Sequence, residues 1–196
     1  MRKETFFEFA KQLFAIDSPT GYTHHAMAFL KDEAEKLGYH SRIILNGRMV
    51  NDGMGEFVAD AAIKQMILAG KAPQKAKVVI LGLTFKEDCP DTRNSKVSDV
   101  IKHLGGYGIA PTVVDPWASA EDAMREYGVT LVDIEDAKDA DCVIVAVAHR
   151  EFKAMSLAEI KAMFAEGPDE EKVLLDIKGL YKMDELKASG MRFWRL

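Results

Sequence analysis

Apolar positions recur along this chain in two rhythms, and the switches between them mark its elements. Near the start, Phe6, Phe9, Ala10, Leu13 and Ile16 fall at helical spacing, which predicts a helix over 4–16. Asp17-Ser18-Pro19-Thr20-Gly21 breaks it. Met27, Leu30, Ala34 and Leu37 share one side of a second helix over 23–37, with Gly38 as its stop. Ser41 to Leu45 reads as a short strand and Asn46-Gly47 as a turn. Met54, Phe57, Val58, Ala61, Met66 and Leu68 then carry a helix from Asn51 to about Gly70, which Lys71-Ala72-Pro73 ends.

Further on, short apolar runs alternate with helical stretches. Strands are expected at 77–83, 111–114, 129–132, 142–147, 173–177 and 191–195, and helices at 95–104, 119–127, 156–165 and 182–189. Cys142-Val143-Ile144-Val145-Ala146-Val147 is apolar without interruption, as a strand buried on both faces requires. The alternation predicts an α/β fold. Its core is a doubly wound, mostly parallel Rossmann-like sheet, preceded by a long helix and an N-terminal helical hairpin. There is no internal repeat and no low-complexity segment.

Composition narrows the function classes. A chain of 196 residues, 48% of them hydrophobic, suits one domain plus an appendage with a real core. Its net charge is −5 and no basic cluster exceeds a few residues, which argues against nucleic acid or an anionic membrane as partner. No apolar run reaches transmembrane length. The first residues carry Glu4 and Glu8 among their aromatics and lack a small-residue cleavage site, so they do not read as a signal peptide. Cys89 and Cys142 are far apart and neither belongs to a C-x-x-C pair, so the chain reads as a reduced, cytoplasmic protein.

The most informative chemistry lies in Gly82 to Ser95, GLTFKEDCPDTRNS. It joins an expected strand to an expected helix, the place where open α/β sheets put ligands. Lys86 and Arg93 lie in this loop and Ser95 is a candidate helix cap. An anion there would meet two cations and free backbone N–H groups. G-x-G-x-x-G is missing, and the loop is not a P-loop.

The loop resembles the UDP-binding domain of the UDP-glucose/GDP-mannose (nucleotide-sugar) dehydrogenase family. Asn51-Asp52-Gly53-Met54 is similar to the end of that family's central helix. Asp115-Pro116-Trp117, Ala146-Val147-Ala148-His149-Arg150-Glu151-Phe152 and Arg192-Phe193-Trp194-Arg195-Leu196 follow in the family's order. Together these segments cover about residues 48–196, and the last two are most like members that oxidise UDP-N-acetylhexosamines. The resemblance implies a UDP-sugar ligand and, in a whole enzyme, NAD-dependent oxidation of the sugar C6 alcohol to the acid through a thiol adduct, for polysaccharide precursors. It also implies a homodimer through helix 51–70.

Within that resemblance each candidate residue has two readings. Phe85 would sit beside the base and Lys86 would contact the nucleotide; otherwise Lys86 is a solvated loop lysine. Arg93 touches a phosphate, or pairs with Asp88 or Asp91 to brace the loop. Asp115 reads a ribose and Trp117 meets the ligand, or the two form a turn in which Trp117 covers the sheet edge. His149 meets the ligand, or caps a helix or braces a loop. Lys178, in Asp176-Ile177-Lys178-Gly179, stands where many members have the arginine of a D-G-R motif, so a point charge replaces a fork.

No catalytic residue and no metal ligand is expected. The family's cysteine segment and the lysine at the start of its central helix belong upstream, as does its NAD domain, and none of these is present. NAD is therefore not expected to bind this chain. Cys89, before Pro90, has no histidine near it in sequence, and Cys142 reads as inert core. Residues 1–45 resemble instead the N-terminus of M20/M42-type metallo-aminopeptidases through DSPTGYTHHAMAFLKDEAEKLGY. His24 and His25 are adjacent, however, and cannot form an i, i+4 zinc pair. The expected organisation is a helical leader over 1–46, the end of a dimerising helix over 47–72, and a UDP-sugar-binding α/β domain over 73–196. A non-catalytic nucleotide-binding or dimerisation module and a peptidase fragment are the alternatives.

Overall fold

The computed structural model describes residues 3–16, 24–36, 38 and 42–196. The chain divides into two compact units, one up to Asp52 and one over Gly53–Leu196. In the first unit, helices α1 (Lys3–Phe14) and α2 (His24–Lys36) form as expected, and the Phe9 ring stacks on Phe29 at 5.6 Å. The expected break at Asp17–Gly21 lies outside the described residues.

Helix α3 runs over Arg42–Leu68. The expected strand over Ser41–Leu45 and turn at Asn46-Gly47 are therefore corrected: described residues 42–47 are helical, and Ser41 lies outside the described residues. Ile43-Ile44-Leu45 is too short a run to fix a period. A glycine inside a helix costs about 1 kcal/mol relative to alanine, which a helix of 27 residues tolerates.

The second unit is built on five strands: β1 (Val78–Leu81), β2 (Thr112–Val114), β3 (Cys142–Val145), β4 (Val173–Asp176) and β5 (Arg192–Arg195). They are parallel throughout, in the order β2-β1-β3-β4-β5. Helices α4 (Lys96–Gly106), α5 (Ala120–Tyr127), α6 (Arg150–Ala154), α7 (Leu157–Lys161) and α8 (Met183–Ala188) connect them. Alternate residues of each strand enter different cores. Val78, Ile80, Cys142, Ile144 and Leu175 pack with Val58 and Met66 of α3 and with Val97, Val100 and Leu104 of α4. Val79, Leu81, Val143, Val145 and Leu174 pack on the opposite face with Phe152, Ile160 and Leu186. The sheet is doubly wound, as its uninterrupted apolar strands require.

Two expected elements shrink. The strand at 129–132 is a single bridge between Leu131 and Val113. The helix at 156–165 ends at Lys161, and α6 precedes it unforeseen. A capping box sets where α7 begins: Ser156 Oγ accepts from the Glu159 N–H while the Glu159 carboxylate takes the Ser156 N–H. The connection from β1 runs to β2 on one side and that from β3 to β4 on the other, so the crevice outside the carboxyl ends of β1 and β3 is the topological switch point.

Candidate functional site

Gly82 is the first residue beyond β1 and has φ +99°, in the left-handed half of backbone space. A Cβ there would lie 2.4 Å from Val147 Cβ, so the two loops leaving β1 and β3 meet backbone against side chain. Leu83 and Thr84 continue the loop fully buried, and Phe85 and Lys86 then emerge into solvent. Phe85 is 54% exposed. The Lys86 ammonium lies 6.0 Å from the Phe85 ring centroid and forms no ion pair among the described residues. The Phe85 N–H donates to the Asp91 carbonyl at 2.8 Å, which pins the far side of the loop. Ser95 caps α4 as expected, its Oγ accepting from the Val97 N–H at 3.2 Å.

The other expected cations are paired. Arg93 makes a two-point contact with Asp91, Nε at 2.9 Å and the terminal amine at 3.0 Å, which is the loop-bracing alternative. The Arg93 guanidinium holds the Asp91 carboxyl below its ordinary range. Lys178 lies 3.4 Å from Glu87, with both side chains partly exposed. An open hollow of about 440 Å³ lies beside Cys89, Asp91, Arg93, Arg125 and Glu126, but Phe85 and Lys86 do not line it. Both its arginines are engaged, Arg93 with Asp91 and Arg125 with Asp122.

Asp115 and His149, each read as a ligand contact or as a structural brace, turn inward. The Asp115 side chain has no solvent exposure. Its Oδ2 accepts from the N–H groups of Leu83 and Thr84 and from His149 Nε2 at 3.1 Å. Oδ1 accepts from the N–H groups of Trp117 at 2.8 Å and Ala118 at 2.9 Å. Five donors leave this carboxylate nothing with which to read a ribose. Burial pushes its pKa up, but hydrogen bonds from His149 and from the Leu83, Thr84 and Trp117 N–H groups outweigh it and hold the group at about 2.

His149 is wholly buried. Its Nδ1 accepts from the Asp88 N–H at 2.9 Å. A backbone amide can only donate, so the ring proton sits on Nε2, which faces both Asp115 and Thr84 Oγ1 at 3.0 Å. Trp117 stacks along the imidazole at 6.3 Å between centroids, and Phe152 tilts against it at 5.6 Å. Trp117 also donates from its indole to Glu151 at 3.0 Å and carries the Arg150 guanidinium over its ring at 4.8 Å.

Sequence reasoning missed the polar side chains that tie these loops together. Thr84 Oγ1 donates to the Lys86 carbonyl at 3.0 Å. The Asp88 carboxylate accepts from the Arg150 N–H at 2.9 Å, a hydrogen bond that lowers its pKa. Asp176, fully buried at the end of β4, accepts from the N–H groups of Leu180 and Tyr181. Acids at the ends of apolar strands were the available signal, since a buried carboxylate at that point must collect donors. The thiol of Cys142 is buried and pushed up in pKa, as an inert core residue is. Glu56, Asp60 and His103 bring their ligand atoms within 4.8 Å of one another on α3 and α4, with both carboxylates exposed. Asp60 and His103 are already hydrogen-bonded at 2.9 Å. Among the described residues no helix is long and apolar enough to cross a membrane.

Residues 79–183, from β1 into α8, match the UDP-binding domain of the UDP-glucose/GDP-mannose dehydrogenase family. The chain belongs to this family. It is 45% identical over 160 residues to the UDP-N-acetyl-D-glucosamine 6-dehydrogenase of Pseudomonas aeruginosa, covering 82% of this chain and 36% of that enzyme. It is 38% identical to protein CapL of Staphylococcus aureus, covering 86% of this chain and 38% of CapL. Among solved structures, the UDP-N-acetyl-mannosamine dehydrogenase Cap5O from S. aureus aligns with a TM-score of 0.59 at 26% identity, over 92% of this chain and 36% of that one.

The chain thus spans little more than a third of the length of these relatives. Residues 48–196 are only about three quarters of the chain, so matches covering 86% and 92% of it take in part of the leader too. The aminopeptidase resemblance of residues 1–45 has no counterpart in these matches.

Proposed function

We propose that the α/β unit holds the UDP moiety of a UDP-N-acetylhexosamine at the carboxyl edge of β1. Phe85 lies beside the base, Lys86 meets the diphosphate, and Lys178 adds charge from the end of β4. The observation that carries this reading is the exposed Phe85-Lys86 pair inside the segment matching the family's UDP-binding domain, its ammonium without an ion-pair partner among the described residues. In a whole enzyme this would serve NAD-dependent oxidation at C6 for polysaccharide precursors in the cytoplasm. UDP is remote from the reacting carbon, and its binding energy would be used to hold the sugar for hydride transfer.

NAD is not part of this proposal. Asp115 takes the Leu83 and Thr84 N–H groups that a dinucleotide phosphate would need. The likeness to UDP-N-acetylhexosamine dehydrogenases favours that sugar class over UDP-glucose. Self-association through α3 belongs to the same proposal: Phe57 and Leu68, three turns apart on that helix, are 53% and 54% exposed. The domain boundaries proposed are a helical leader over 1–46, the dimerising helix over 47–72 and the nucleotide domain over 73–196.

Titration calorimetry with UDP, UDP-N-acetylglucosamine and NAD tests the ligand. UDP or the UDP-sugar is expected to bind more tightly than NAD, with modest affinity because fewer groups surround it than in a whole enzyme. Binding of NAD without measurable uptake of UDP overturns the proposal.

A further inference from the structure

Phe85 and Lys86 stand at the crest of a short arch whose two feet are hydrogen-bonded through one imidazole. At the near foot, the Thr84 N–H donates to Asp115 Oδ2, and His149 Nε2 lies within 3.1 Å of that same oxygen and 3.0 Å of Thr84 Oγ1. At the far foot, the Asp88 N–H donates to His149 Nδ1 at 2.9 Å. We propose that His149 is a positioning residue for the nucleotide site, its neutral Nε2-protonated ring holding the backbone of residues 84–88 so that Phe85 and Lys86 face the ligand. This rests on the UDP-binding reading above.

The far foot needs such a hold. Asp88 has φ 54°, a conformation that costs a non-glycine residue free energy and persists only when its surroundings fix it. Two contacts fix it: the His149 acceptor on its N–H, and the Arg150 N–H on its carboxylate at 2.9 Å. The ring is suited to the task by its rigidity. It places an acceptor on one edge and a donor on the other, and Trp117 and Phe152 pack against it and keep water away. Being wholly buried, it cannot touch the ligand itself. Without it the Asp88 N–H loses its partner and Asp115 loses one of five donors.

Two substitutions separate the halves of the ring. His149→Asn keeps an acceptor near the place of Nδ1, and His149→Gln keeps a donor near the place of Nε2. The full 196-residue chain and its His149→Asn, His149→Gln and His149→Ala variants would be compared by UDP calorimetry, thermal unfolding and amide hydrogen exchange at Asp88. The wild-type Asp88 amide is expected to be protected. His149→Asn should keep that protection and bind UDP within about threefold of wild type. His149→Gln and His149→Ala should expose the amide and weaken UDP about tenfold or more, a factor worth about 1.4 kcal/mol. A purely structural histidine would instead make the losses of affinity follow the losses of melting temperature, whichever half is kept.

Unchanged Asp88 exchange in His149→Gln overturns the proposal, and so does full UDP affinity in His149→Ala. If His149→Ala does not fold, free exchange of the wild-type Asp88 amide overturns it alone. If the wild-type chain takes up no UDP, the ligand reading fails while the exchange measurements still decide whether His149 holds the arch.

Discussion

Lys86 and Asp115 lie at the same edge of the sheet in opposite electrostatic states, and their mutants should differ accordingly. Lys86 is solvated and forms no ion pair among the described residues, so its charge is available to a ligand and contributes little to the fold. Lys86→Ala is expected to weaken UDP by about 1.5–3 kcal/mol, the range for a charge-assisted hydrogen bond, with the melting temperature unchanged. Calorimetry paired with thermal unfolding checks this, and a collapse of stability with affinity intact would make Lys86 structural.

Asp115 is saturated with donors, so its effect is on stability. Its native pKa, about 2, lies below the unfolded value of 3.8, so the native state favours the ionised form. The contribution is fully present above pH 4 and is lost as pH falls from there through about 2. It amounts to about 2 kcal/mol, since each tenfold change in proton affinity is worth roughly 1.4 kcal/mol. Urea unfolding from pH 5 to pH 2 should show this loss in the wild-type chain and a much smaller one in Asp115→Asn, which is already destabilised at pH 7.

These two residues also show what the sequence makes legible. Lys86 could be singled out because its loop follows a strand and carries a motif. Asp115 could be placed at a strand end, but not its direction, because the donors that turn it inward come from positions 83, 84 and 149. Arg93 with Asp91 is a local pair and was foreseen as one alternative. His149 with Asp88 is 61 residues apart and depends on how β1 and β3 lie side by side.

Among the elements, the strands were the most legible because sheets buried on both faces need unbroken apolar runs, and all five observed strands fall within expected ones. The failures were where a run was short. Ile43-Ile44-Leu45 lies in a helix, and the run near Val129 to Val132 forms a single bridge. The hinge between strand and site, Gly82, is readable as a glycine but not as a close approach. Gly82→Ala should destabilise the second unit by about 1–3 kcal/mol, since the new methyl meets Val147 and the positive φ disfavours a side chain. Chemical denaturation measures it. Gly82→Ala with Val147→Ala should recover part of the loss, because the methyl would then have room, while the strain of the φ remains. No recovery would mean that φ alone accounts for the cost.

For the whole chain, the prediction concerns turnover. Supplied with NAD and UDP-N-acetylglucosamine or UDP-N-acetylgalactosamine, these 196 residues should make no NADH above background, followed by absorbance at the nicotinamide band. Hydride transfer needs both reactants held near contact distance. The proposed site serves one of them, at the edge of β1, while Asp115 already takes the Leu83 and Thr84 N–H groups beside it. Of the two cysteines, Cys142 is sealed in the sheet, and Cys89 is partly exposed in the loop beside Pro90. Turnover that co-purifies with the chain and disappears on Cys89→Ser would show that this loop thiol reacts and that the chain holds both reactants. Turnover that survives Cys89→Ser would point to a co-purifying enzyme, which a catalytically silent preparation from a second expression host would separate from the chain itself.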